Sequence, residues 1–349
     1  MDRFHRRAVC RIHRVLSTYN TNLEKDGFVH YTEVGFHNTK EMFERAYGGG
    51  YAVPAYNFVN MEQLQAIVRA CIDTRSPVIL QASKRVRQYV GREFVRHMAQ
   101  AAMEIVCSSD SGISCAFHLD HGDSPEECAE SIEDGFSSVM IDGSALPFEE
   151  NIRLSKQVAD YAHSYDVTVE GELGTLSGVE EDVSRESYVY TDPASVEEFV
   201  KRSGVDSLAV SVGTSHGLNK GKVRPGEPPT LRFDILEEIE KRVPGFPIVL
   251  HGSSGLPAEY VDMVNRYGGK LEGVVGVPEG QIRKAAASCV CKVNIASDAH
   301  LTVTAIVRKV LVEDPGVFDT RKYLGPAREE LVSMYSRKNR EVLGSAGRT

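Results

Sequence analysis

Eight short apolar runs, each rich in Val, Ile, Leu or Ala, recur between Tyr51 and Ala296 with room for a helix between most neighbours. They are Tyr51–Phe58, Pro77–Ser83, Ser114–Asp120, Ser137–Asp142, Thr168–Gly174, Ser207–Gly213, Pro247–Gly252 and Cys289–Ala296. Strands that read as apolar runs belong to a parallel sheet whose outer face is covered by helices. The pattern predicts helices at about Met61–Asp73, Arg92–Val106, Phe148–Tyr165, Asp234–Arg242 and Asp298–Val312. A further helix opens at Ser124-Pro-Glu-Glu127, with serine as N-cap, proline in the first helical position and Glu127 completing a capping box. An open doubly wound sheet would confine its site to one switch point, whereas here polar residues end at least six strands. Only a closed barrel brings those ends to one mouth, so the expected fold is α/β, a (β/α)8 TIM barrel.

The expected organisation is a barrel over residues 31–325 with flanking segments. Residues 1–30 carry Arg3, Arg6, Arg7, Arg11 and Arg14 but also Asp2 and no clear amphipathic pattern, and read as a disordered extension rather than a targeting segment. Residues 326–349 hold a last helix, about Pro326–Leu343, expected to pack on the barrel or on a second subunit. With 42% hydrophobic and 26% charged residues the 349-residue chain has ordinary globular composition, and no apolar run is long enough to span a bilayer. A net charge of −9, without a basic face interleaved with aromatics, argues against a nucleic-acid partner. The seven scattered cysteines form no CxxC pair and read as buried small hydrophobes of a reducing, cytoplasmic compartment.

The third run ends abruptly in His118-Leu-Asp-His-Gly-Asp123. Side chains alternate along a strand, so His118 and Asp120 share a face and His121 is expected to begin the turn out of it. Two later runs also end in histidine, at Gly213-Thr-Ser-His-Gly217 and Val249-Leu-His-Gly-Ser-Ser-Gly255. His121, His216 and His251 thus offer three imidazoles with one open position, the donor set of a catalytic zinc or similar divalent ion. Asp142 and Glu172, at strand ends four and five, are candidates for a partner to these ligands or a second metal position, or else cap helices and anchor loops. The turns Gly213–Gly217 and Gly252–Gly255 expose backbone N–H groups, Ser254 adds a hydroxyl and Lys220 a charge, as a phosphate site needs. Asn294 and Ser297 complete the ring. A Schiff-base enzyme would need a desolvated lysine; of Lys84, Lys220 and Lys292 the first two fall in loops and the third has no evident companion, so the metal route is preferred.

The motifs AYNF (Ala55–Phe58), HLDHGD (His118–Asp123), SSVMIDGS (Ser137–Ser144), EGELG (Glu170–Gly174), GTSHG (Gly213–Gly217), HGSS (His251–Ser254) and KVN (Lys292–Asn294) resemble, in this order, those of class II metal-dependent fructose-bisphosphate aldolases. The resemblance runs from about Tyr31 to Gly344. It implies that His121, His216 and His251 hold one Zn²⁺ and that Asp120 is the proton-transfer carboxylate. It implies further that Gly217, Lys220, Gly252, Ser254, Asn294 and Ser297 hold the dihydroxyacetone-phosphate half, with Asn57 and Ser83 facing the substrate. Glu180, in the loop after strand five, resembles the acid/base that exchanges the proton at the enediolate carbon. A homodimer or homotetramer and a monovalent cation (Na⁺ or K⁺) near the phosphate are implied too.

The chain departs from this pattern after strand eight. Where relatives resemble N-I-D-S-D-x-R, it reads Asn294-Ile-Ala-Ser-Asp-Ala-His300. Ala296 stands for an aspartate that touches substrate hydroxyls and His300 for an arginine that binds the distal phosphate, so altered distal specificity is expected. An alanine there also resembles tagatose-bisphosphate aldolases. Arg85, beside Ser83, is a candidate to replace the arginine. Competing readings are a metal-dependent hydrolase, which commonly opens with an HxH pair where this chain has Asn57, and a non-catalytic sugar-phosphate-binding barrel, which has no need of Asp120 beside the metal.

Overall fold

The computed structural model describes residues 28–176, 178–180, 183–185, 189–218 and 229–349. Eight parallel strands close into a barrel: β1 (Val53–Asn57), β2 (Val78–Ser83), β3 (Cys115–Gly122), β4 (Ser138–Ile141), β5 (Thr168–Leu173), β6 (Ser207–Val210), β7 (Ile248–Leu250) and β8 (Val290–Ile295). Each pairs with its neighbours in sequence, and β1 pairs with β8 through partners such as Ala55 and Asn294. This is the expected (β/α)8 barrel.

Alternation along the strands sorts the side chains. Cys115, Phe117 and Leu119 of β3 point outward into the large core shared with the surrounding helices, whereas Ala116 points inward beside Val53, Ala55, Ile79 and Cys291. Met42, Phe43 and Ala46 of the helix Lys40–Gly49 pack against this inner layer and close the lower end of the barrel. Met140, Ala209 and Val249 form another apolar cluster inside. Toward the C-terminal ends the inward positions become polar: Asn57, Gln81, His118, Asp120, Glu170, Lys292 and Asn294 are all buried. The same two-residue rhythm therefore fills the bottom with hydrocarbon and the mouth with chemistry.

Local signals set the helix starts. Ser124 caps Pro125–Glu133 by accepting the Glu127 N–H, and the Glu127 carboxylate reaches back to the Asp123 N–H, one residue ahead of the cap. Among the described residues six helices lie beyond those expected: Tyr31–Val34, Lys40–Gly49, Lys84–Val90, Pro193–Ser203, Ala258–Arg266 and Glu279–Ala286. Each is short or sits among turn residues that obscure its period. The stretch after β5 holds a small antiparallel hairpin, Gly178–Glu180 with Val183–Arg185. The last helix starts at Arg321, earlier than expected, carries Pro326 inside it, and continues from Arg337 into a π-helical turn, Lys338–Val342. It lies along Met61–Thr74; Asn339 bonds Thr74 and Tyr56, and Ala52 N–H donates to the Leu343 carbonyl. No helix among the described residues is long and apolar enough to cross a membrane.

Candidate active site

β3 delivers two adjacent functional side chains to one place, which a regular strand cannot do. The strand runs on to Gly122 instead of ending at Asp120, and its register against β4 shifts between Leu119 and Gly122. At the shift His121 takes a left-handed backbone, φ 51°. That rotation turns the His121 ring back to the mouth beside Asp120, correcting the expectation that it merely begins the exit turn. A left-handed histidine is a sparsely populated, strained state of the kind found at functional sites.

His216, in the loop after β6, and His251, directly after β7, complete the cluster. The ring centroids of His121 lie 5.3 Å from His216 and 4.7 Å from His251, and the rings stand nearly perpendicular. Candidate ligand atoms of the three lie within 4.8 Å of one another, and so do those of His121, Asp142 and Glu172. His251 Nε2 donates to Glu170 Oε1 at 2.7 Å, and His121 Nδ1 lies 3.3 Å from Asp142 Oδ2. With their outer nitrogens so engaged, His121 Nε2 and His251 Nδ1 face each other at 2.9 Å. Two lone pairs at that separation require a positive charge between them. Burial pushes the His121 imidazolium down, but Asp120, Asp142 and Glu172 reverse this and hold its pKa up at about 10. A proton or a divalent cation answers the same demand, and carboxylate-braced imidazoles are the usual surroundings of a bound metal. The donor set therefore fits a metal ion.

Asp120 is buried 3% exposed, accepting Asn57 Nδ2 at 2.8 Å and Asn294 Nδ2 at 3.1 Å. Asn57 is itself fixed by Gln81 Nε2 at 2.9 Å. Burial would raise the Asp120 pKa, yet His121, His251, Lys292 and Asn57 together hold it below the usual carboxylate value. The group is thus an ionised, oriented proton acceptor.

Beneath this lies a layer that sequence reading missed. Glu170 takes His251 on one oxygen and the fully buried Lys292 on the other, Nζ to Oε2 2.7 Å. His118 Nε2 sits 3.2 Å from the same Nζ, and burial followed by Lys292 pushes the His118 pKa down to about 3. Burial works against ionised Glu170, but Lys292 and His251 hold its carboxyl well below the usual range. Lys292 therefore does have companions, contrary to expectation, and its ion pair makes it a structural charge rather than the free amine a Schiff base requires. The signal was available: Glu170 and Glu172, and likewise Lys292 and Asn294, are two residues apart and so share the inner face.

The other expected residues fall as follows. Ser83 is buried at the end of β2 and caps Lys84–Val90 by accepting the Val86 N–H. Gly252, φ 61°, lies so close to the His216 loop that a Cβ would come 2.6 Å from the Ser215 carbonyl. Gly217 is also left-handed, and Ser254 is buried. Asn294 is the penultimate residue of β8, while Ser297 is the first residue of the helix Ser297–Glu313. Asp142 accepts the Ser144 N–H, and Glu172 is buried. Ala296 is half-buried; His300 and Arg85 are exposed. Glu180 lies in the hairpin after β5, and Lys220 falls outside the described residues.

The model of the family described as fructose-bisphosphate aldolase class-II matches residues 37–348. The chain belongs to the class-II fructose-bisphosphate aldolase family. It is 58% identical over 330 residues to the fructose-bisphosphate aldolase of Treponema pallidum, covering 91% of this chain and 99% of that one. Against the Giardia intestinalis fructose-bisphosphate aldolase it is 43% identical over 308 residues, 88% and 93% of the two chains. The crystal structure of the YdjI aldolase from Escherichia coli K12 superposes with a TM-score of 0.69 at 26% identity, covering 89% and 98%. As a member of this family the chain is an aldolase, a lyase, and the readings as a hydrolase or as a non-catalytic sugar-phosphate-binding barrel are not favoured.

Proposed function

We propose that this aldolase reversibly cleaves a ketose 1-phosphate or 1,6-bisphosphate to dihydroxyacetone phosphate and an aldehyde, using one divalent ion, Zn²⁺, held by His121, His216 and His251. One observation carries the reading: three imidazoles converge beside an ionised, buried carboxylate that two asparagines orient. When bound, the ion supplies Lewis acidity for the negative charge left when the C3–C4 bond breaks. Asp120 accepts the C4 hydroxyl proton during cleavage and returns it in condensation. Asn57 and Asn294 keep its oxygens aimed, and Glu170 keeps His251 in the tautomer that points Nδ1 inward. Glu180, on the hairpin after β5, exchanges the proton of the dihydroxyacetone carbon. Gly217, Lys220, Gly252, Ser254 and Ser297 bind the phosphate, with Ser83 facing the substrate and a monovalent cation alongside. Asp142 and Glu172 share His121 as a second ion position. The enzyme works in the cytoplasm as a homo-oligomer.

Metal analysis of purified protein followed by assay of triose phosphate release tests this. The expected result is one divalent ion per chain, with ion and cleavage lost together on chelation and on His121→Ala, His216→Ala or His251→Ala. Stoichiometric zinc persisting in all three variants, or no triose phosphate from any ketose phosphate with metal-loaded protein, overturns it.

A further inference from the structure

The π-helical turn at the end of the last helix carries a lysine that reaches the first turns of the helices Glu279–Ala286 and Ser297–Glu313. Lys338 is fully buried, its Nζ 2.8 Å from Asp298 Oδ2 and 3.0 Å from Glu279 Oε1. Asp298 is equally buried, and its carboxylate faces two ways. Oδ1 accepts the Leu256 N–H at 2.6 Å, and Oδ2, the oxygen that also meets the ammonium, accepts the Gly255 N–H at 3.2 Å. Those amides end the Gly252–Gly255 turn. The turn is demanding: Gly252 and Leu256 are both left-handed, φ 61° and 46°. From the other side Val277 N–H donates to the Ser254 carbonyl. Asp298 also follows Ser297 at the start of the helix Ser297–Glu313, so it adjoins both walls of the proposed phosphate site.

A buried carboxylate accepts two amides in fixed directions only while a cation compensates it; removing that cation leaves a buried charge that reorients or takes a proton. We infer that Lys338 is a positioning residue for phosphate binding, acting through Asp298 on the Gly252–Gly255 turn. This rests on reading that turn as the site of the substrate's 1-phosphate. Lys338 lies 40 residues along the chain from Asp298, and its ion pairs are to Asp298 and Glu279 rather than to Asp120, so its effect is on how phosphate is held and not on proton transfer.

The test uses full-length, zinc-loaded protein as parent, Lys338→Met, Asp298→Asn and the double variant. Ketose 1-phosphate kinetics are read together with calorimetric binding of dihydroxyacetone phosphate. Losing a charge-supported hydrogen bond predicts KM and Kd about tenfold higher in each single variant, with kcat changed far less and zinc still stoichiometric. The double variant is expected to be no worse than the worse single one, because both act on one linkage. It also removes both charges together, keeping the test open if Lys338→Met alone does not fold. KM and Kd within about twofold of parent in the folded variants, or effects that multiply in the double variant, overturn the inference. A purely structural lysine would lower thermal stability and leave both constants in place. A parent that binds dihydroxyacetone phosphate but cleaves nothing would refute the proposed activity and leave the positioning role to be judged by Kd alone.

Discussion

Glu170 accepts the Nε2–H of His251 at 2.7 Å, so the orientation of a candidate metal ligand is set from inside the barrel, below the reach of substrate. The carboxylate is ionised because Lys292 sits on its other oxygen.

Glu170→Gln should therefore weaken metal binding without touching a ligand. Loss of such an outer carboxylate typically lowers affinity about 10- to 100-fold. Competition against a chromogenic chelator measures it; unchanged zinc affinity in the folded variant would show that His251 is oriented by other contacts.

Asp120→Asn keeps shape and removes the proton acceptor. Cleavage should fall about 100- to 10,000-fold in kcat, the span of general-base contributions, with zinc retained and dihydroxyacetone phosphate still bound. Loss of zinc in this variant would instead assign Asp120 to holding the metal.

Stability toward acid should have an identifiable source in Glu279. Burial opposes its charge, but Arg337 and Lys338 hold its pKa down at about 2, against an ordinary 4.5. The unfolded chain takes up this proton near pH 4.5 and the folded chain only near 2, so the contribution is complete above 4.5 and is lost as pH falls between the two values. Glu279→Gln should cost on the order of 2 kcal/mol at neutral pH, and the gap from parent should shrink toward pH 2.5. Urea denaturation across that range checks it; a gap independent of pH would contradict it.

Distal specificity should follow the exchange at positions 296 and 300. His300 is exposed in the first turn of Ser297–Glu313, and the short Ala296 offers no hydroxyl-binding carboxylate. Losing a bidentate guanidinium–phosphate contact is worth about 1.5–3 kcal/mol, roughly ten- to two-hundred-fold in kcat/KM. Fructose 1,6-bisphosphate should accordingly not be the best substrate in a panel with tagatose 1,6-bisphosphate, fructose 1-phosphate and a 6-sulfonated analogue. The expectation fails if it gives the highest kcat/KM and Ala296→Asp with His300→Arg brings no gain.

The barrel was legible because its strands are apolar runs whose lengths and turn residues are local properties. His121, His216 and His251 were legible for a similar reason: a histidine after an apolar run stands out against its surroundings. Lys292 was misjudged because its partner is set by closure of the barrel, which brings its Nζ within 2.7 Å of a Glu170 oxygen across 122 residues of sequence. The pairing of Lys338 with Asp298 escaped notice because no local pattern announces which helix the C-terminal segment packs against. The left-handed His121 was hidden too, since two-residue alternation assigns it to the outer face and only the register shift against β4 reverses this.

That reversal makes the proposed proton acceptor and a candidate metal ligand neighbours on one backbone. Asp120 and His121 share a single peptide plane, so a displacement of the histidine at that bulge moves the carboxylate with it. The proposed electrophile and base are consequently not independent parts to be tuned one at a time: any sequence change that relaxes the β3 bulge detunes both at once, and selection on either is selection on the pair.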